Sequence, residues 1–281
     1  MKIRAGYRIA LECPNPTPML LKLSVCAERR GDLITPDDVR AQGIHTDHIL
    51  DEFGNRVTRL NAPVGLTVFE SDFLICDPGT PDVQNWAARQ VPIGDLPPEA
   101  LPFLLGSRYC ETDLMSNLAW SLFGHVPPGW ARVQAIVDYA HKRITFGYPH
   151  ARATRTAFEG HEEQVGVCRD YAHLAVTLCR AMNIPARYCN GYLGDIGVAP
   201  VDAPMDFCAW FEVYLEGGWH TFDARHNDPR IGRVVIARGR DAADVAMTHS
   251  FGPAYLREFS VICEEVVDAA LTTKPQLMAA E

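Results

Sequence analysis

The stretch QVGVCRDYAHLAVTLCRAMNIPARYCNGYL, residues 164–193, places a thiol at the start of a helical pattern. A thiol is a poor nucleophile until it ionises. At a free pKa of about 8.5 only a few per cent is thiolate at neutral pH. A helix N-terminus points unpaired N–H groups outward, and its dipole favours negative charge. Cys168 occupies such a position, and Gly166 lets the backbone approach it closely. The chemistry this allows is attack of a sulfur anion on a carbonyl carbon, with the following N–H groups holding the oxyanion. The plainer alternative is a small buried hydrophobe, the usual state of a free cysteine. Cys179 and Cys189, inside an apolar helix and an apolar strand, read as that alternative.

The elements that must position Cys168 can be read around it. Tyr171, Leu174, Ala175, Leu178 and Met182 form an apolar stripe at helical spacing, which Asn183 and Pro185 terminate. The segments ARYCNGYL, FCAWFEVYL and WHTFDAR follow as strands, the last two joined around Glu216, Gly217 and Gly218 as a hairpin. Upstream, WARVQAIVDYAHKRI has helical periodicity. Residues 1–85 read instead as short strands (YRIALE, MLLKLSVCAE, RVTRLNAP, GLTVFESDFLIC) ending in the proline-rich CDPGTPDV. The expected organisation is α+β: a β-sandwich-like domain over 1–85 and a second domain over 86–281, in which a cysteine-bearing helix packs on an antiparallel sheet.

Composition narrows the function classes. The chain is 47% hydrophobic and 22% charged, ordinary for a globular protein, with a formal net charge of −9. That balance argues against a nucleic-acid backbone or an anionic membrane as partner. The nine cysteines are odd in number, irregularly spaced and free of C-x-x-C pairs, which fits a reducing cytoplasm better than a disulfide framework. No secretory h-region and no apolar run of about 18 residues is visible, so a cytoplasmic location is expected.

GVCRDYAHLAVTLCRAMNIPARYCNGYL followed by DFCAWFEVYLEGGWHTFDARHN resembles the transglutaminase-like superfamily, in its bacterial cysteine-protease-like branch. The resemblance spans roughly residues 110–250, and DEFGNRVTRLNAP is similar to the β-rich region that often precedes such domains. It implies a papain-like core and thiol chemistry on an amide: a protease, amidase or acyl transferase working through a thioester on a peptide or small carboxamide. It implies Cys168 as nucleophile and Asp223 as the carboxylate that orients the base. The base itself normally opens an HAW triplet; here the triplet is Cys208-Ala209-Trp210.

Strand alternation makes that departure concrete. With a hairpin loop of two or four residues, Cys208, Trp210 and Glu212 share a face with Asp223 and Arg225. A thiol in place of an imidazole is mostly protonated at pH 7 and has no second nitrogen for Asp223 to orient. Among the histidines, His220 has the wrong parity. His173 lies about 140° around the helix from Cys168, and His226 reaches the site only if the chain turns back after Asp223. Three readings follow, in order: an active enzyme with a rearranged base, an inactive binding module of the same fold, and a zinc site at Cys168, Cys208 and Asp223 with a histidine such as His226. No cofactor is expected under the first two. Trp210 and Arg169 are candidates for substrate binding, although a core aromatic and a residue shaping the helix start are the plainer roles. The arginines from Arg225 to Arg240 read as a solvated charged face.

Overall fold

The computed structural model describes residues 1–267. Residues 268–281, the end of the expected second domain, lie outside the described residues.

The N-terminal region forms two antiparallel sheets. One places β1 (Lys2–Cys13) between β5 (Gly65–Cys76) and β13 (Tyr255–Glu265); the other runs β12 (Thr248–Ser250), β2 (Thr17–Leu21), β4 (Arg56–Ala62), β3 (Asp47–Leu50). The strands alternate as half-buried strands must: in β5, Thr67, Phe69, Ser71, Phe73 and Ile75 point inward. Ile3, Ile9, Met19, Leu21, Leu60, Phe69 and Phe73 meet in one core. Each sheet takes a strand from the far end of the chain, so the expected division at 85/86 describes the sequence but not the architecture. Strands β12 and β13, from the second half, complete the first half's sheets because β1 and β2 otherwise present open edges. The same core continues into the second region through Tyr188, Tyr192, Val234 and Ile236.

The segment from 77 to 111 contains loops and short 3₁₀ turns. Then come α1 (Thr112–Phe123), α2 (Trp130–Arg143), a two-strand parallel ladder of β6 (Thr145–Phe146) with β7 (Val165–Gly166), α3 (Ala157–Glu163) and α4 (Cys168–Ala181). The second main sheet has the order β10 (Gly218–Phe222), β9 (Cys208–Leu215), β8 (Ala186–Tyr192), β11 (Val234–Gly239), all antiparallel. The fold is α+β, as the order of elements suggested. The hairpin is tighter than the Glu216–Gly218 reading: Leu215 pairs Gly218, and Glu216-Gly217 alone make the turn, with Gly217 at φ +92°.

Helix α4 ends where Asn183 adopts φ +61°, and the Ile184 N–H closes on the Cys179 carbonyl. Its single apolar stripe understates its burial. Every residue from Asp170 to Ala181 is buried, because α1, α2 and α3 cover one side and β8 and β9 the other. A helix covered all round holds its first turn in a fixed place, which a precisely positioned sulfur requires.

Candidate active site

Two carboxylates and one glycine build the mouth of α4. Val167, the residue before the helix, has no side-chain acceptor, so the helix start relies on Asp170 reaching back. Its Oδ2 accepts the Val167 N–H at 2.8 Å and a guanidinium N–H of Arg155 at 3.2 Å. Burial raises the Asp170 pKa despite these partners. Gly166 is required here for a steric reason: a Cβ would stand 2.6 Å from both Cβ and Oδ2 of Asp170. Arg155 in turn pairs with Glu163 at 3.0 Å. The outcome is a braced first turn with Cys168 partly buried at its tip.

The Cys168 thiol is pushed down, first by the neighbouring Cys208 thiol, whose Sγ lies 3.7 Å from the Ala209 carbonyl, and, against the cost of burial, by Arg225 and the Ala209 N–H; Asp206 works the other way. Cys208 is pushed up by the Cys168 thiol, then by burial and by the negative charge of its neighbours. The direction that follows for the pair is that Cys168 ionises first while Cys208 keeps its proton. Burial raises Cys26, Cys110, Cys179, Cys189 and Cys263 as well, so Cys168 stands apart among the shifted thiols.

Cys208 opens β9 opposite Gly191, and the pair Cys189–Trp210 lies two positions along the ladder, on the same face. A side chain at Gly191 would meet the Val234 carbonyl at 2.1 Å and the Trp210 ring at 2.8 Å, so this glycine admits the indole. Trp210 is buried with Cys26, Cys189, Leu193, Cys208 and Val235, with Cys168 packed against the group. It therefore supports the sulfurs from the core rather than walling an open cleft. Arg169 donates to the Arg152 carbonyl and lies 6.0 Å from the centre of the Tyr109 ring, contacts that shape the helix start.

Asp223 follows β10 and is fully engaged. Its Oδ1 accepts the N–H groups of Arg225 (2.9 Å) and His226 (3.0 Å); its Oδ2 accepts from Nδ1 of His226 (2.8 Å) and from Arg233 (2.9 Å). Burial alone would raise its pKa, but Arg233 and His226 hold it well below the usual carboxylate range. Arg233 is shared with Asp82 at 2.8 Å. The turn over 223–227 brings His226 back onto the carboxylate: the Asn227 N–H closes on the Asp223 carbonyl at 2.8 Å with Asn227 at φ +55°. Asn227 is pinned to Gln134 and Asp138 of α2. One donor atom each of Cys208, Asp223 and His226 lies within 4.8 Å of the others.

The other histidines sit elsewhere. His173 is fully buried between Tyr109 and Tyr188, its Nε2 accepts the Ala242 N–H, and burial keeps it neutral. His220 packs on Trp130 and meets the Glu216 carbonyl.

Sequence reasoning missed the inward role of the arginines between 225 and 240. Arg230 and Arg233 are buried, Arg238 binds buried Glu212, and Arg225 lies 3.9 Å over the Phe146 ring while acting on Cys168. The solvated face is corrected on this ground: acids distant in sequence, among them Asp82, Asp195 and Glu212, draw these cations inward. Asp82 carried no local signal that it would meet Arg233, which is 151 residues away.

The family model of the Transglutaminase-like superfamily matches residues 118–224, a span that holds Cys168, Cys208 and Asp223 and stops short of His226. A crystal structure from Cytophaga hutchinsonii, named "a Putative Cysteine Protease", superposes with a TM-score of 0.82 at 30% identity, covering 95% of this chain and 91% of that one. An uncharacterized protein of Mycobacterium leprae is 39% identical over 85 residues, 29% of this chain and 30% of its own length. One from Mycobacterium bovis is 25% identical over 184 residues, 59% of this chain and 55% of its own. The chain thus spans about a third to a half of the curated relatives it matches. With a near full-length structural relative, a matching family core and a thiolate-favouring helix mouth beside an aspartate, this chain belongs to the transglutaminase-like superfamily.

Proposed function

We propose that this chain performs thiolate chemistry on acyl groups, with Cys168 as nucleophile. The observation that carries the reading is the environment of one sulfur: a helix N-terminus, an S–H donor, a backbone N–H and a guanidinium all favour its anion. In the reaction, the Cys168 thiolate adds to the acyl carbon. The carbonyl oxygen takes the negative charge, and the free N–H groups of the first turn of α4 stabilise it. Collapse expels the leaving group and leaves a thioester on Cys168, which water or an amine then resolves.

The replaced histidine shapes which acyl groups suit the site. An amine leaves only after it has been protonated, and the adjacent proton donor is Cys208, whose thiol holds its proton tightly. Behind it, His226 is oriented through Nδ1 by Asp223, which turns Nε2 away from the carboxylate. Peptide amides are therefore slow substrates, while thioesters and activated esters, which leave without a proton, are fast ones.

The reading is tested with the full chain and a p-nitrophenyl ester, a thioester and a matching anilide. The expected result is burst acylation of Cys168, seen by intact mass, with the ester and thioester turned over faster than the anilide. A protein that forms no acyl-enzyme with any of them, and whose Cys168 is alkylated no faster than a buried thiol, is a non-catalytic module of this fold.

A further inference from the structure

Arg225 stands apart from the other arginines of its segment. Arg230, Arg233, Arg238 and Arg240 each pair with a carboxylate, of Asp195, Asp82, Glu212 and Asp244 in turn. The Arg225 guanidinium makes no ion pair and no hydrogen bond among the described residues; it lies over the Phe146 ring, 3.9 Å from its centre. We propose that Arg225 anchors a carboxylate on the acyl donor, so that the site selects acyl groups carrying a negative charge a few bonds from the carbon that Cys168 attacks. This gives the acyl reaction above a substrate class, and it rests on that reading.

The fold fixes where the guanidinium stands. The Arg225 N–H is held by Oδ1 of Asp223 at 2.9 Å, and its carbonyl meets Nδ1 of His141, on α2, at 3.0 Å. Phe146, under the side chain, pairs with Gly166 in the β6–β7 ladder, and the Gly147 N–H closes on the Gly166 carbonyl at 3.0 Å. Gly166 lies two residues before Cys168, so the ring and the cation on it flank the mouth of α4. Tyr148 continues this wall, its ring 5.3 Å from Phe146 and 44% exposed. The charge of Arg225 is one of those felt at the Cys168 sulfur and at Tyr148.

An aromatic ring attracts a guanidinium but offers it no lone pair in the plane of its N–H groups, so those donors remain unanswered. They form a planar fork that matches the two oxygens of a carboxylate. Arg225 and Phe146 are both partly buried, which strengthens a charge-assisted bond relative to open water. Asp206 also feels Arg225, after burial and the Phe207 N–H it accepts at 2.7 Å, yet the two form no ion pair. A net charge of −9 repels anions from much of the surface, so a carboxylate-bearing donor needs a local cation to hold it beside the sulfur.

The experiment uses the full chain and two alkylating reagents that differ by one charge, iodoacetate and iodoacetamide. Both consume the same thiolate, so the effect of Arg225 on the ionisation of Cys168 cancels in the ratio of their rates, read at Cys168 by peptide mass. In the parent chain that ratio should exceed the ratio for a free thiol by about tenfold, the size of one charge-assisted hydrogen bond. Arg225→Gln should return it to the free-thiol value. Arg89→Gln, the same loss of charge at the turn end of the β9–β10 hairpin, leaves it unchanged. A free-thiol ratio in the parent chain, a result that needs no variant to fold, or an equal fall with Arg89→Gln overturns the proposal. Among acyl donors, mono-p-nitrophenyl glutarate should exceed p-nitrophenyl pentanoate in kcat/KM, and Arg225→Gln should remove about tenfold of that preference through KM. The two fail separately: acyl-enzyme formation with no preference for the charged reagent or ester removes only the anchor, and charge preference in alkylation without an acyl-enzyme leaves an anion site beside Cys168 and removes the acyl reaction.

Discussion

Two buried ionic clusters flank the β9–β10 hairpin, and they are built from similar parts. In one, Glu212 is held by Arg187 at 2.5 Å and Arg238 at 2.9 Å, with Arg187 stacked 4.0 Å over Trp219. In the other, Asp223 is held by Arg233 and His226, with Cys208 and Cys168 alongside. The first is closed: burial works against the Glu212 carboxylate, Arg238 and Arg187 keep it ionised, and none of the three gains or loses a proton near neutral pH. The second contains an imidazole and two thiols, of which Cys168 is pushed toward its anion and Cys208 the other way, and it reaches solvent at Cys168 and His226. Pairing is thorough in both clusters. What separates scaffold from site is whether the pairing leaves a reactive atom open.

The comparison breaks if the open cluster proves inert or the closed one reactive. The largest expected effect is Cys168→Ala, which lowers acyl-enzyme turnover of a p-nitrophenyl ester by about 10³-fold or more while denaturant midpoints stay close to those of the parent. The closed cluster answers in stability instead. Glu212→Ala strands two guanidiniums and costs about 3–5 kcal/mol in chemical denaturation, with Cys168 still alkylated in the folded fraction.

Because the Glu212 carboxylate is depressed in the folded state, its contribution is fully present above an unfolded value of about 4.3 and is lost as the pH falls below it. Glu212→Gln should flatten that part of the acid stability profile, read as urea midpoints from pH 5 to 2. Within the open cluster, Cys208→His supplies an imidazole beside Cys168 and should raise anilide hydrolysis by roughly 10²–10⁴-fold, with little gain on esters. The smallest effect sharpens the origin of the thiolate. The Cys168 pKa is depressed, so its alkylation falls off at lower pH than that of an ordinary thiol. Cys208→Ala removes the neighbour chiefly responsible and should move the midpoint of that profile upward.

The ladder register shows why the hairpin cluster was partly legible. Direct opposition of Thr221 with Glu212 and Phe222 with Phe211 carries Asp223 to the level of Trp210, which a period of two and a two-residue turn already imply. His226 was not reachable that way. Its place depends on a turn in which Asp223 accepts two N–H groups and Asn227 enters the left-handed region, and neither alternation nor propensity encodes that path. The D-x-x-H-N spacing was the only local hint.

By itself, the sequence determined the α+β class, the helix that carries Cys168, the strand that Cys208 opens and the hairpin that leads into Asp223. Those follow from periodicity and alternation, which act over a few residues; the missing histidine was visible only through the family resemblance. Only the tertiary structure decided that Arg225 and Arg233 turn inward, that Asp82 answers one of them, that Trp210 lies beneath rather than beside the site, and that β12 and β13 complete the N-terminal sheets. Long-range pairing of buried charges and of open sheet edges is settled by whichever partner the whole chain brings within reach, and no short window of sequence contains both Asp82 and Arg233, or both β2 and β12.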